Sequence, residues 1–78
     1  MDELLEIAKR AVEDYGFRQV AQWSPDDLVA ERHLSSQQAG VLKGPLKDEL
    51  DQLPIPVEPA DRKKELARLE QVIRLALG

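Results

Sequence analysis

Apolar residues recur with a helical period most regularly near the C-terminal end of the chain, in residues 59–78. They stand three or four positions apart, so an α-helix would gather them on one side. The residues with this spacing are Leu66, Leu69, Ile73 and Ala76, and Val72 and Leu77 widen the stripe. The basic residues of the segment lie mostly on the other side. The pattern predicts an amphipathic helix that needs a second apolar surface to pack on.

The N-terminal part of the chain has a helical pattern as well. Residues 2–15 carry one apolar stripe, and they begin with acidic residues, which stabilise the first turn of a helix. Gly16 follows, and glycine commonly ends a helix in the left-handed conformation. We therefore expect the first helix to end at Gly16. Residues 17–23 offer too short an alternation for a strand, and a single strand would have no pairing partner, so they predict a short second helix.

A capping sequence marks the start of the next helix. Ser24 is a good capping residue, Pro25 suits the first helical position, and Asp27 can close a capping box in place of the usual glutamate. We expect this helix to run from Pro25 to about His33.

Ser35 and Gln38 repeat the capping pattern at the spacing of a full capping box. This predicts a fourth helix over residues 36–43, which Gly44 and Pro45 should stop. Pro45 can itself open a fifth helix over residues 45–53. The expected inner face of that helix consists of Leu46, Leu50 and Leu53.

Residues 54–59 contain three prolines and cannot be helical. We expect an extended, polyproline-like strap that delivers the last helix, in preference to a ligand for an aromatic groove. The predicted organisation is a small helical domain over residues 1–53, a linker over 54–59, and an amphipathic helix over 60–78. The predicted fold class is all-α, a compact bundle of short helices followed by the strap and the C-terminal helix.

Composition limits the kinds of protein that this chain can be. A chain of 78 residues has one thin core, worth about 3–5 kcal/mol net. It has no cysteine, so neither disulfides nor thiolate metal sites support it. Its acidic N-terminus is unlike a signal peptide, and no apolar run is long enough to span a membrane. We expect a soluble, cytoplasmic protein that gains stability by association.

Few residues are placed for chemistry. Ser24, Ser35 and Ser36 each stand where a helix cap would use the hydroxyl oxygen. His33 falls near a helix end, where an imidazolium is stabilised by the helix dipole. Adjacent acids such as Asp48 and Glu49 point apart on a helix and do not converge on a metal. The sequence predicts no enzyme, no metal site and no cofactor.

Three short helices with tight connections, at 25–33, 36–43 and 45–53, also fit a helix-turn-helix DNA-binding regulator. However, the net charge is −4, and the last of these helices contains several acidic residues. Acidic residues at that density repel phosphate, so nucleic-acid binding is the alternative and not the main prediction.

The chain's aromatic residues are Tyr15, Phe17 and Trp23, within nine positions of one another. We expect them to form the core of the N-terminal part. An exposed Trp23 would instead be the first candidate for an interface anchor.

Residues 17–42 resemble one group of small helical proteins. The matching residues are Phe17, the run Ser24-Pro25-Asp26-Asp27-Leu28, the pair Leu34-Ser35, and Leu42. The run is similar to the alpha-type small subunit of extradiol ring-cleavage dioxygenases and to leader domains of ribosomally made peptide precursors. The resemblance implies a compact helical unit that covers a partner enzyme or presents something to it. It carries over no functional residue, and the chain lacks the precursors' Gly-Gly cleavage site.

These patterns predict a small non-catalytic protein–protein interaction module, a homodimer or an accessory subunit of a larger protein. The expected contact surface is the apolar side of the last helix, namely Leu66, Leu69, Val72, Ile73 and Leu77. The competing interpretation is that this helix folds back onto residues 4–15 of its own chain. The size of the core favours a partner.

Overall fold

Six α-helices and two shorter helical segments make up the regular structure of residues 2–55 and 57–78, which the computed structural model describes. No strand occurs in these residues, so the all-α prediction is confirmed. The α-helices are α1 (Asp2–Glu13), α2 (Tyr15–Trp23), α3 (Pro25–Arg32), α4 (Ser36–Val41), α5 (Lys47–Leu50) and α6 (Arg62–Leu77). A π-helical segment, Leu42–Leu46, joins α4 to α5, and a 3-10 turn, Pro59–Asp61, precedes α6.

The junction between α1 and α2 differs from the expectation. Asp14 is extended and caps α2, where its carboxylate accepts a hydrogen bond from the backbone N–H of Phe17 at 3.2 Å. Gly16 lies inside α2 and does not adopt the left-handed conformation. The predicted helix end at Gly16 is therefore wrong, because the Asp14 cap starts the next helix before the glycine is reached. The predicted short helix over residues 17–23 is confirmed as part of α2.

The two capping sequences perform differently. The Ser35 hydroxyl accepts from the Gln38 N–H at 3.1 Å, and the Gln38 side chain accepts from the Ser35 N–H at 2.9 Å. This is the full capping box that the sequence predicts. Ser24 stands at the N-cap of α3 with Pro25 in the first turn, but its side chain makes no capping hydrogen bond. His33 ends α3 in the left-handed conformation, with φ of 54°.

These two serines give a matched test. We expect Ser35→Ala to lower the free energy of unfolding by about 1 kcal/mol, because it removes one half of a capping box. Ser24→Ala should change it by less than about 0.5 kcal/mol, because no side-chain bond is lost. Urea denaturation followed by circular dichroism measures both. Equal losses would contradict the assignment of the two caps.

The predicted break at Gly44 and Pro45 is wrong, since helical backbone continues from Ser36 to Leu50. Pro45 has no N–H to donate and its ring crowds the preceding turn. The wider π-helical turn at Leu42–Leu46 accommodates it. A single stripe of fully buried leucines favours continuity across the proline, and it consists of Leu42, Leu46 and Leu50. The second and third helices of the alternative DNA-binding motif are thus parts of one continuous helical segment.

One hydrophobic core unites the whole chain. Helix α6 packs back along α1, and its buried residues Leu69 and Ile73 join the core that Leu4 and Ile7 of α1 also enter. The last helix is therefore packed on its own chain, as the competing interpretation held. This one core spans both the predicted small helical domain at 1–53 and the predicted amphipathic helix at 60–78.

The strap crosses the molecule between α5 and α6. Leu53, just before the strap, and Val57, within it, are buried, while Ile55 is exposed. Glu58 has the extended backbone of polyproline, with φ −64° and ψ 144°. The prediction of a non-helical strap is confirmed for residues 54, 55, 57 and 58, and Pro56 lies outside the described residues. It is wrong for Pro59, which begins the 3-10 turn, because proline suits the first position of a helical segment.

Candidate functional site

The residues predicted to form an interface lie mostly inside the molecule. Leu69 and Ile73 have no exposed surface, so no second polypeptide can contact them in this fold. Leu66, Val72 and Leu77 are half-buried. The physical reason is that α1 and the leucine stripe of residues 42–50 together supply enough apolar surface to cover α6. The large apolar side chain that α6 does expose is Leu75, at 75%.

The exposed side of α2 is the most unusual surface among the described residues. We define this α2 face by its exposed residues, which are Tyr15, Gly16, Gln19, Val20 and Trp23. No member is charged, although 33% of the chain's residues are. Each of the other described helices of eight or more residues exposes several charged side chains. Depletion of charge and enrichment in aromatic residues are features of the centre of protein interfaces.

Trp23 dominates the α2 face. Its side chain is 71% exposed, whereas tryptophan is highly buried on average in folded proteins. The Lys47 ammonium lies 4.8 Å from the centre of the ring, in cation–π contact. The expectation that the aromatic residues form a core is wrong, because Tyr15 and Trp23 are exposed and only Phe17 is half-buried.

Polar contacts between α5 and α2 hold this arrangement. Lys47 also donates to Asp51 at 2.9 Å, and Asp51 accepts from the Gln22 amide at 2.9 Å. The hydrogen bond from Lys47, followed by that from Gln22, lowers the pKa of the Asp51 carboxyl below its ordinary value. Both hydrogen bonds therefore favour the charged carboxylate near neutral pH. The network fixes Lys47 next to one side of Trp23 and leaves the rest of the indole in solvent.

Arg18 lies beneath the α2 face and ties it to the strap. It is the one charged residue of α2, only 2% exposed, and its Nη1 donates to the Pro54 carbonyl at 2.9 Å. Its guanidinium stacks 4.7 Å from the Tyr15 ring centre. These contacts form one wall of a groove of about 310 Å³ between α2 and the strap. Ile55, 68% exposed, stands on the far side of this groove and extends the apolar surface.

Gly16 leaves a place on the α2 face where no side chain protrudes. It has ordinary helical backbone, so no strain requires a glycine there. A Cβ added at this position would meet only the Asp14 carboxylate oxygen, at 3.3 Å. A glycine inside an exposed helix costs about 1 kcal/mol relative to alanine. Close approach by another molecule is a role that a glycine here can serve.

No family model, curated protein or solved structure matches this chain. The resemblance of residues 17–42 to small dioxygenase subunits and precursor leader domains stays a prediction.

The described residues bring together no group of three or more histidine and acidic side chains that could hold a metal ion. None of the helices in this part of the chain has both the length and the apolar character needed to cross a bilayer. Of the two serines at N-cap positions, Ser35 makes the expected capping hydrogen bond with its side chain and Ser24 does not. The α2 face offers exposed contact area.

Apart from the conditional role of Trp23 as an interface anchor, the α2 face was not predicted, although the sequence contains a signal for it. Residues 15–23 contain one charge in nine positions, and Arg18 stands on the same side of the helix as Ala21. Placing the buried side there leaves Tyr15, Gly16, Gln19, Val20 and Trp23 outside. A helical wheel alone does not show which side of α2 faces inward. The general preference of aromatic residues for the core therefore led to the wrong side being expected inside.

Proposed function

We propose that this chain is a small non-catalytic protein–protein interaction module that binds its partner through the α2 face. The observation that carries the proposal is the exposure of Trp23, 71%, within a helix face that has no charged side chain. Tryptophan is among the residues that most often dominate binding energy at interfaces. The proposed contact surface therefore replaces the apolar side of α6 that the sequence suggested.

Burial of this surface is the expected driving force. An aromatic side chain removed from water contributes about 1.5–3 kcal/mol, and Ile55 and Val20 would add to it. The ring is already held on one side by Lys47, so little side-chain freedom is lost when a partner covers it. The groove beside the strap provides room for a partner side chain next to the indole. A homodimer and an accessory subunit both use such a surface.

Site-specific photo-crosslinking in the native cell tests this proposal. A benzophenone amino acid at the exposed position Gln19 should give a discrete crosslinked protein band. Trp23→Ala should reduce that band more than tenfold, because an interface anchor of this kind contributes about 2 kcal/mol or more. The same probe at Lys64, exposed on α6, should give no band that depends on Trp23.

Leu75→Ala is the matched control, since Leu75 is an equally exposed apolar side chain far along a different helix. It should leave the crosslink at position 19 unchanged. A band that persists in Trp23→Ala, or one that Leu75→Ala removes as effectively, would exclude the α2 face as the contact surface.

A further inference from the structure

The α2 face has the charge expected of a surface that meets a second copy of itself. In a two-fold dimer each patch faces the same patch, so any net charge on it repels its own copy. The five residues of the α2 face carry no charge, on a chain whose net charge is −4. Glu13 lies exposed just before α2, while three other acids near the face are engaged within the chain. Asp14 caps α2, Asp26 pairs with Lys43, and Asp51 binds Lys47.

The spacing on the face matches a helix-packing seam. Gly16, Gln19, Val20 and Trp23 stand at positions i, i+3, i+4 and i+7, the repeat by which two helices pack along each other. The smallest residue of the chain is at one end of the seam and the largest is at the other. When two such seams run antiparallel about a centre between Gln19 and Val20, each Trp23 lies opposite the partner's Gly16.

We infer that this chain forms an antiparallel two-fold dimer through α2, with each Trp23 ring seated over Gly16 of the other copy. The inference rests on the proposed function and adds the identity of the partner. The absence of a Cβ at Gly16 leaves space for the indole, and the Gln19 amides meet near the axis, where each can donate and accept. Ile55, on the strap, flanks the seated ring. A nine-residue helix makes a small interface, so the dimer is a weak one.

Sedimentation equilibrium of the purified full chain tests this, over about 1 µM to about 1 mM because interfaces below about 1,200 Å² are weak. We expect a monomer–dimer equilibrium. Gly16→Gln should weaken dimerisation at least tenfold, since its side chain fills the space that the indole needs. Gly40→Gln is the control, because Gly40 is also exposed on a helix and has no neighbour within 4 Å of an added Cβ. It should leave the equilibrium unchanged.

Effects of these variants on monomer stability can be measured separately from their effects on dimerisation. Gly40→Gln replaces a helical glycine that has open space around it, so it should preserve or raise the free energy of unfolding of the monomer. At position 16 the added Cβ lies 3.3 Å from the Asp14 carboxylate that caps α2, so urea denaturation of Gly16→Gln has to show a folded monomer before its association is compared. The chain's only tryptophan reports the contact directly, and its emission should shift to shorter wavelength as the dimer forms.

The relative direction of the two α2 helices in the dimer can be measured separately. Spin labels on Glu13→Cys, just before α2 in a chain without native cysteine, should lie at opposite ends of the helix pair if α2 packs antiparallel. They should then be farther apart than the length of α2, which is about 14 Å at 1.5 Å per residue. A label separation near one helix diameter would overturn the antiparallel arrangement. A monomer at every concentration, or a dimer indifferent to Gly16→Gln, would overturn the inference as a whole. In the monomer case, a Trp23-dependent crosslink to a different protein would still support the proposed function.

Discussion

Leu69→Ala is expected to lower the free energy of unfolding by about 2–5 kcal/mol, the range for removing a fully buried leucine. Leu69 has no exposed surface and lies where α6 meets the shared core. A chain of this size has about that much stability in total, so the variant should be largely unfolded at room temperature. Urea or thermal denaturation followed by circular dichroism, at low protein concentration, measures the loss.

Leu75→Ala on the same helix is the control. Leu75 is 75% exposed, so its truncation should change the free energy of unfolding by less than about 0.5 kcal/mol. Comparison of Leu69→Ala with Leu75→Ala distinguishes packing of α6 on its own chain from packing on a second polypeptide. If Leu69 faced a second polypeptide and not its own chain, its truncation would cost no more than that of Leu75 in a dilute sample.

Arg18→Ala is expected to lower the free energy of unfolding by about 2–4 kcal/mol. It removes the buried stem, and it leaves the Pro54 carbonyl without the charged donor that binds it at 2.9 Å. The ion pairs of the described residues do not include Arg18, so the carbonyl and the Tyr15 ring are its principal polar contacts. Denaturation by urea gives the magnitude.

Arg18→Met separates packing from hydrogen bonding. Methionine keeps most of the apolar stem and removes the buried charge, so it should lose about half as much as alanine. The backbone amide signal of Val57, on the strap, should shift in both variants because both release Pro54. An Arg18→Ala protein as stable as the parent would show that Arg18 does not hold the strap.

Much of the fold is accessible from local sequence because caps and apolar periods act over a few residues. The Ser35–Gln38 capping box, the strap and the amphipathic character of α6 are of this kind. The continuous segment over residues 36–50 is not, since Gly44 and Pro45 favour a break. Tertiary burial of Leu42, Leu46 and Leu50 outweighs that local preference, and this burial depends on helices distant in sequence.

The candidate site was less predictable for a related reason. An amphipathic stripe shows that a helix must bury one side, but not what covers it. In this chain α1 covers α6, while the aromatic residues that look like core material remain outside. Which apolar surface is left over depends on the sum of all the packing, and no single segment contains that information.

The π-helical turn at Leu42–Leu46 determines how α5 is rotated about the helix axis relative to α4. It accommodates an extra residue, which rotates α5 by about a quarter of a turn relative to a continuous α-helix. The first half can thus touch α3 and α6 while the second half touches α2. Shortening this turn by one residue would swing Lys47 and Asp51 away from Gln22 and Trp23. The position of Lys47 beside the indole therefore depends on a turn that contains a proline twenty-two positions further along the chain.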